Sequence, residues 1–217
     1  MALLNPRASR HRVVGHADRH RAAVRHLSRA DRSLDRIIAR VGPCTLRPRR
    51  AYFATLCDSI ISQQLSTRVA EVIFARFASL YPRRRPTPRA VARTSMARLR
   101  AAGLSVQKAA YLKDLAKGFL DGRIRTGGLS RQSNEEIIGA LTSIHGIGRW
   151  TAEMFLMFSL NRPDVLPVDD LGIRKAVQRW YGFKTLPAAR TIRRIGRPWH
   201  PYETVASWYL WRSLRLD

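Results

Sequence analysis

Two adjacent carboxylates, Asp169 and Asp170, stand out in a chain of 217 residues with only 15 Asp and Glu against 40 Lys and Arg. They precede an apolar repeat at Ile173, Ala176 and Val177 that predicts a helix. A carboxylate at a helix N-terminus accepts backbone N–H bonds and is favoured by the helix dipole. One Asp suffices as a cap and the other as a solvated neighbour. A fixed negative charge inside a phosphate-binding surface works against affinity, however, so the pair also reads as a centre for acid–base or electrostatic chemistry.

A second constellation lies just upstream. The segment 141–153 reads LTSIHGIGRWTAE. An apolar helix ends near Ile144, Gly146 and Gly148 flank Ile147 in a tight turn, and a second helix begins near Arg149. Glycines two apart allow a sharp turn and close backbone approach. The first amides of the second helix then face outward, where they can bind phosphate. Ile144 and Ile147 serve as apolar plugs, and Arg149 adds positive charge. An ordinary helical hairpin without a ligand has the same outline, so the charge of the chain matters to the choice.

That formal charge is +25, carried by 35 Arg and 5 Lys. Lys and Arg gain affinity for DNA by releasing phosphate counterions, which makes nucleic acid the leading partner. An anionic membrane surface and a ribosomal or chromatin scaffold are the other readings. A GC-rich genome explains the preference for Arg but not the shortage of acids. A hydrophobic content of 45% is too high for a disordered basic tail. No apolar run reaches 18 residues, so no transmembrane helix is expected, and the first residues lack the apolar core of a signal peptide. Cys44 and Cys57 cannot build a disulfide framework, and a cytoplasmic location is expected.

The elements that must position these groups are nearly all helical. Three-and-four spacing marks helices around 34–41, 53–61, 69–80, 96–102 and 106–119. Their stops are Gly42-Pro43, Pro82, Gly103 and Gly122, and Ser105 is an N-cap. Ser133 and Glu136 fit a capping box before Ile137, Ile138 and Leu141. Further helices follow Asp170 and Pro187, and the last spans about 201–214, with Pro201 in its first turn. No strand pattern appears, so the fold is expected to be all-α, with ten or so short helices. Residues 1–25 carry His11, His16 and His20, and read, with His26 just beyond, as a basic arm touching phosphate rather than as a metal site. Residues 26–217 form the expected domain.

Together these motifs resemble the helix-hairpin-helix (HhH-GPD) DNA glycosylase superfamily, and within it the alkylpurine branch of the DNA-3-methyladenine glycosylase II type, in compact form. The matching stretches are IISQQLS (60–66), the segment 144–177 and RPWHPYETVASWYLWRSL (197–214). The resemblance implies two helical lobes flanking an active-site cleft. It implies a base-excision repair enzyme that flips alkylated purines (3-methyladenine, 7-methylguanine) out of duplex DNA and hydrolyses the N-glycosidic bond.

Residue by residue, the resemblance makes Asp170 the catalytic carboxylate, because apolar Ile173 and Ala176 stand three and six positions on; Asp169 is the adjacent alternative. Trp150 becomes the stacking wall for a cationic base, with Phe53, Trp208 and Tyr209 as further walls or core residues. Gly146, Ile147, Gly148, Arg149 and Thr151 form the DNA-binding hairpin. Gln64 or Leu65 is the wedge that fills the gap left by the flipped base. Members with lyase activity carry Lys where Trp150 stands, so a monofunctional enzyme is implied. Two Cys cannot hold the iron–sulfur cluster of other branches, and no cofactor is expected. The carbonyls of Ile144, Gly146 and Gly148 are expected to hold a monovalent cation. His200 and Glu203-Thr204 depart from the family's Arg and Arg-Ser. A monomer acting on damaged double-stranded DNA in the nucleoid is expected. A same-superfamily enzyme for hypoxanthine or uracil, or a non-catalytic DNA-binding module, are the alternatives.

Overall fold

The computed structural model describes residues 16–49 and 51–216. Twelve α-helices account for most of them: α1 (His16–Ala30), α2 (Arg32–Val41), α3 (Tyr52–Ser62), α4 (Thr67–Ser79), α5 (Pro88–Arg93), α6 (Met96–Ala101), α7 (Val106–Leu120), α8 (Asn134–Thr142), α9 (Arg149–Phe158), α10 (Leu171–Trp180), α11 (Ala189–Gly196) and α12 (Glu203–Ser213). Among the described residues there is no strand, as the periodicity predicts, and no helix is long and apolar enough to cross a membrane.

Local signals explain most boundaries. Ser133 and Glu136 form the reciprocal capping box ahead of α8. Ser105 Oγ accepts from Lys108 N at 3.1 Å to start α7. Gly42 ends α2 at φ +80°, a left-handed conformation that suits glycine. Pro201 does not enter the last helix; the chain turns at Tyr202 and α12 starts at Glu203.

Helices α3 to α9 surround one apolar core that includes Leu56, Ile60, Phe77, Leu112, Ile137 and Leu156. Helices α1, α2 and α10 to α12 surround a second, with Leu27, Leu34, Ile173, Val177, Trp199 and Tyr209. Phe158 and Trp211 pack against both, with ring centroids 5.8 Å apart, and so join the two lobes.

The expected boundary near residue 25 falls inside a helix. α1 buries Ala23 and Leu27 completely or nearly so, and packs on α2 and α12. His26 Nε2 lies 2.9 Å from the Pro198 carbonyl. Two buried apolar positions among basic neighbours are too few to stand out in sequence, yet a docked helix needs only such a narrow stripe. Residues 1–15 of the arm expected over 1–25, and His11 with them, lie outside the described residues.

The hub of the second lobe is Asp31, the N-cap of α2. Oδ1 accepts from Ser33 N (2.8 Å) and Leu34 N (3.0 Å). Oδ2 accepts from the Tyr181 hydroxyl (2.6 Å) and Trp199 Nε1 (2.9 Å). One carboxylate thereby links α2 to the end of α10 and to the turn before α12. Burial first, and then the Asp31 carboxylate itself, push the Tyr181 phenol well above its ordinary value, so it remains a donor.

Candidate active site and DNA-binding hairpin

The hairpin between α8 and α9 is built around Gly146, at φ +85°. A Cβ there would lie 2.2 Å from Cδ2 of Tyr111, so the position excludes a side chain both by conformation and by the ring packed against it. Ile144 and Ile147 are buried as plugs. The turn is held from α7: Asp114 Oδ2 accepts from His145 N (2.9 Å) and faces its ring Nδ1 (2.7 Å), while Oδ1 accepts from Arg123 (2.9 Å). Desolvation pushes the Asp114 carboxyl up, but the hydrogen bonds from His145 and Arg123 and the guanidinium charge outweigh it and hold the group at about 2. Gly148 caps α9 without a side chain, which leaves the first amides of that helix without a side-chain acceptor.

Two of the expected hairpin side chains are engaged within the protein. The Arg149 guanidinium is held by carboxylates, donating to both Glu135 oxygens (2.5 and 3.0 Å) and to Glu153 Oε1 (3.2 Å). The Thr151 side chain is buried, because it falls on the core side of α9. Thr151 thus offers the surface no side chain, while the Arg149 side chain stays 53% exposed.

The QQLS segment folds against the same hairpin. Gln63 Nε2 donates to the Gly146 carbonyl at 2.7 Å, and Lys108 Nζ donates to the carbonyls of Ile61 and Gln63, each at 2.7 Å. Between α3 and α4 the chain projects Gln64, exposed and at φ +57°, with Leu65 half-buried behind it. A non-glycine residue in this conformation is strained, and such strain collects at functional positions.

Asp170 caps α10, its Oδ1 accepting from Ile173 N at 2.8 Å. Two indoles grip the same carboxylate: Trp211 Nε1 donates to Oδ1 at 2.8 Å and Trp150 Nε1 to Oδ2 at 2.7 Å. Three N–H donors from α9, α10 and α12 fix the plane of the carboxylate. Oδ2 accepts only from Trp150, so a lone pair is left for a water or substrate. Asp169 is exposed and accepts no hydrogen bond among the described residues, and the cap is Asp170. Trp150, which donates to Asp170, is 52% exposed, and Leu171, the next residue along the chain from Asp170, is 54% exposed.

Between the lobes lies a cavity of about 390 Å³. Asp58 and Ser59 of α3, Met154 and Phe158 of α9, and Trp208 and Arg212 of α12 line it. Phe158 of the lining packs against Trp211, the residue that donates to Asp170. The Arg212 guanidinium carbon lies 5.1 Å from the Trp208 ring centroid. Of the further aromatic walls, Trp208 reaches the cavity. Tyr209 does not: it is wholly buried in the second lobe and donates to the Gly42 carbonyl at 2.9 Å. Phe53 packs edge-on against Phe119 in the first lobe. Helical spacing cannot tell a core ring from one at a cleft.

The departures in the last motif have structural roles. His200 Nδ1 lies 3.0 Å from Glu203 Oε1. Thr204 holds the loop leading to Asp170: its N–H donates to the Pro163 carbonyl (2.9 Å), its hydroxyl donates to the Arg162 carbonyl (2.6 Å), and that oxygen accepts from Val165 N (3.3 Å). The sequence reading missed Trp211, Asp114 and Leu171. Trp211 lies inside a quoted motif, but only the packing of α12 against α10 shows where its N–H goes.

Residues 57–201 match the HhH-GPD superfamily of base excision DNA repair proteins. The chain belongs to that superfamily. Among HhH-GPD relatives, DNA-3-methyladenine glycosylase 1 of Schizosaccharomyces pombe is 38% identical over 198 residues, covering 88% of this chain and 86% of that protein. The solved S. pombe 3-methyladenine DNA glycosylase in complex with abasic DNA superposes with a TM-score of 0.78 at 37% identity, over 90% of this chain and 98% of that one. A DNA-3-methyladenine glycosidase from Bacillus halodurans gives 0.83 at 35% identity, over 89% of each chain. These HhH-GPD structures match the two-lobed helical architecture described above.

Proposed function

We propose that the protein is a monofunctional DNA glycosylase that hydrolyses the N-glycosidic bond of alkylated purines, 3-methyladenine and 7-methylguanine, in duplex DNA. The observation that carries this reading is Asp170, its carboxylate held by three N–H donors where α9, α10 and α12 meet. The names of the S. pombe and B. halodurans relatives support the substrate class.

The sequence of events follows from the groups present. The amides of α9 take a phosphate of the lesion strand, and the carbonyls of Ile144, Gly146 and Gly148, each accepting one hydrogen bond, keep a lone pair for a monovalent cation shared with that phosphate. Gln64 and Leu65 enter the stack as the damaged nucleotide leaves it. The base, cationic through alkylation, stacks on Trp150 or Trp208. As the glycosidic bond stretches, positive charge grows on the sugar, and Asp170 lies where a carboxylate stabilises it and aligns the attacking water through Oδ2. Trp150 occupies the hairpin-helix position at which a lyase carries an amine, so no Schiff base forms there. The protein works on DNA as a monomer.

Duplexes carrying one lesion each test the reading. Strand breaks that need alkaline heating are expected for 3-methyladenine and 7-methylguanine substrates; breaks without alkali would sink the monofunctional assignment. Asp170→Asn is expected to bind the same duplexes while losing excision by at least about a hundredfold, and Asp169→Asn to keep it. Full activity in Asp170→Asn refutes the catalytic assignment. Release of hypoxanthine or uracil alone moves the protein to another substrate class in the same superfamily.

A further inference from the structure

α11 carries Arg190, Arg193 and Arg194, and the turn that follows it carries Arg197. The spacing, three, four and seven positions from the first, puts all four on one face. They surround an open hollow of about 560 Å³, with Thr191. All four side chains are exposed, and none makes a hydrogen bond or ion pair among the described residues. Three arginines elsewhere in the fold are committed instead: Arg123 to Asp114 and Asp121, Arg149 to Glu135 and Glu153, Arg162 to the carbonyls of Leu129 and Gln132.

The opposite face of α11 is rigidly seated. Ile192 and Gly196 are buried, and a Cβ at Gly196 would lie 2.5 Å from Leu166 Cδ2 and 3.1 Å from Trp199. Like charges at these spacings oppose helix formation, and nothing on the protein offsets them. A fixed, self-repelling stripe of guanidiniums is complementary to a linear array of phosphates, which Arg binds bidentately. The stripe belongs to the second lobe, whereas the hairpin belongs to the first. At the hairpin, by contrast, the Arg149 side chain already pairs with Glu135 and Glu153.

We propose that the outer face of α11 is a second DNA-backbone surface, which binds undamaged duplex through Arg190, Arg193, Arg194 and Arg197 independently of base excision. The test compares wild type with R190Q/R193Q/R194Q/R197Q and with a charge-matched control, R89Q/R93Q/R98Q/R100Q, on exposed positions of α5 and α6. Affinity for an undamaged 30-base-pair duplex, about three helical turns, is measured across a KCl series. The slope of log K against log salt is expected to fall by about 0.9 for each arginine that neutralises a phosphate in the α11 variant, and to change by less than half as much in the control. Excision at saturating enzyme in single turnover is expected to stay at the wild-type rate. An unchanged slope, or an equal fall in the control, overturns the proposal. If the quadruple variant melts early, R190Q/R194Q and R193Q/R197Q are measured separately, each expected to give about half the change. A null slope with normal excision refutes this surface alone, while absent excision with a lowered slope refutes only the glycosylase reading.

Discussion

The indole N–H of Trp211 lies 2.8 Å from Oδ1 of Asp170, a contact made across 41 positions of sequence. It ties the last helix to the first turn of α10, and it shares its acceptor oxygen with the amide of Ile173. The carboxylate is thus oriented by the packing of one lobe and reached by Trp150 from the other.

Trp211→Phe keeps the ring against Phe158 and removes only the donor. A hydrogen bond to a charged group contributes about 1.5–3 kcal/mol. With two donors remaining, roughly a tenfold fall in single-turnover excision is expected, with lesion-duplex Kd unchanged. A fall in affinity with normal turnover would show that Trp211 acts on DNA binding instead.

Gly172→Ala probes the same contact sterically. A Cβ at Gly172 would sit 2.9 Å from Trp211 Cδ1 and 3.0 Å from Asp170 Oδ1. Alanine favours helix by about 1 kcal/mol, so thermal stability should change little while excision falls. Wild-type excision in this variant would mean that the carboxylate and indole can shift without consequence.

Asp114 sets the acid limit of the hairpin. Its carboxyl stands at about 2 in the folded protein, below the roughly 3.9 of an unfolded chain. A depressed carboxyl contributes stability above the unfolded value, and that contribution is lost as pH falls through the folded one. The stability difference between wild type and Asp114→Asn, from urea unfolding, should therefore be full at pH 6 and shrink between about pH 4 and 2. A difference constant over that range contradicts the assignment.

Asp31→Ala removes a helix cap and leaves the donors of Tyr181 and Trp199 without an acceptor. A lost cap costs about 1 kcal/mol and each stranded donor about 1–3. A loss of about 3–5 kcal/mol is expected by denaturant titration; a loss below about 1 would show that water replaces the carboxylate.

Much of this was legible from local pattern. Capping residues and three-and-four spacing marked the helices from α2 to α12, α5 excepted. Gly146 and Gly148 marked the hairpin because its turn needs a left-handed residue. Asp170 was distinguished from Asp169 by the apolar positions that follow it, and the structure makes Asp170 the cap. α1 escaped notice because its buried stripe is narrow, and α5 because Pro88 and a run of arginines hide a helix of one and a half turns.

The sequence by itself determined the helices, the hairpin, the position of the carboxylate and the charge that favours DNA, since each depends on residues within a few positions of one another. Only the tertiary structure decided how those parts act on each other. It buried Phe53, Tyr209 and Trp208, the last against the cavity between the lobes, and left Trp150 exposed, because exposure depends on which helix lies opposite. It turned Arg149 toward Glu135 and left the arginines of α11 unpaired, because ion pairs form between elements brought together by core packing. It also brought Trp150 and Trp211 to the two oxygens of Asp170, since three helices distant in sequence meet where the lobes join.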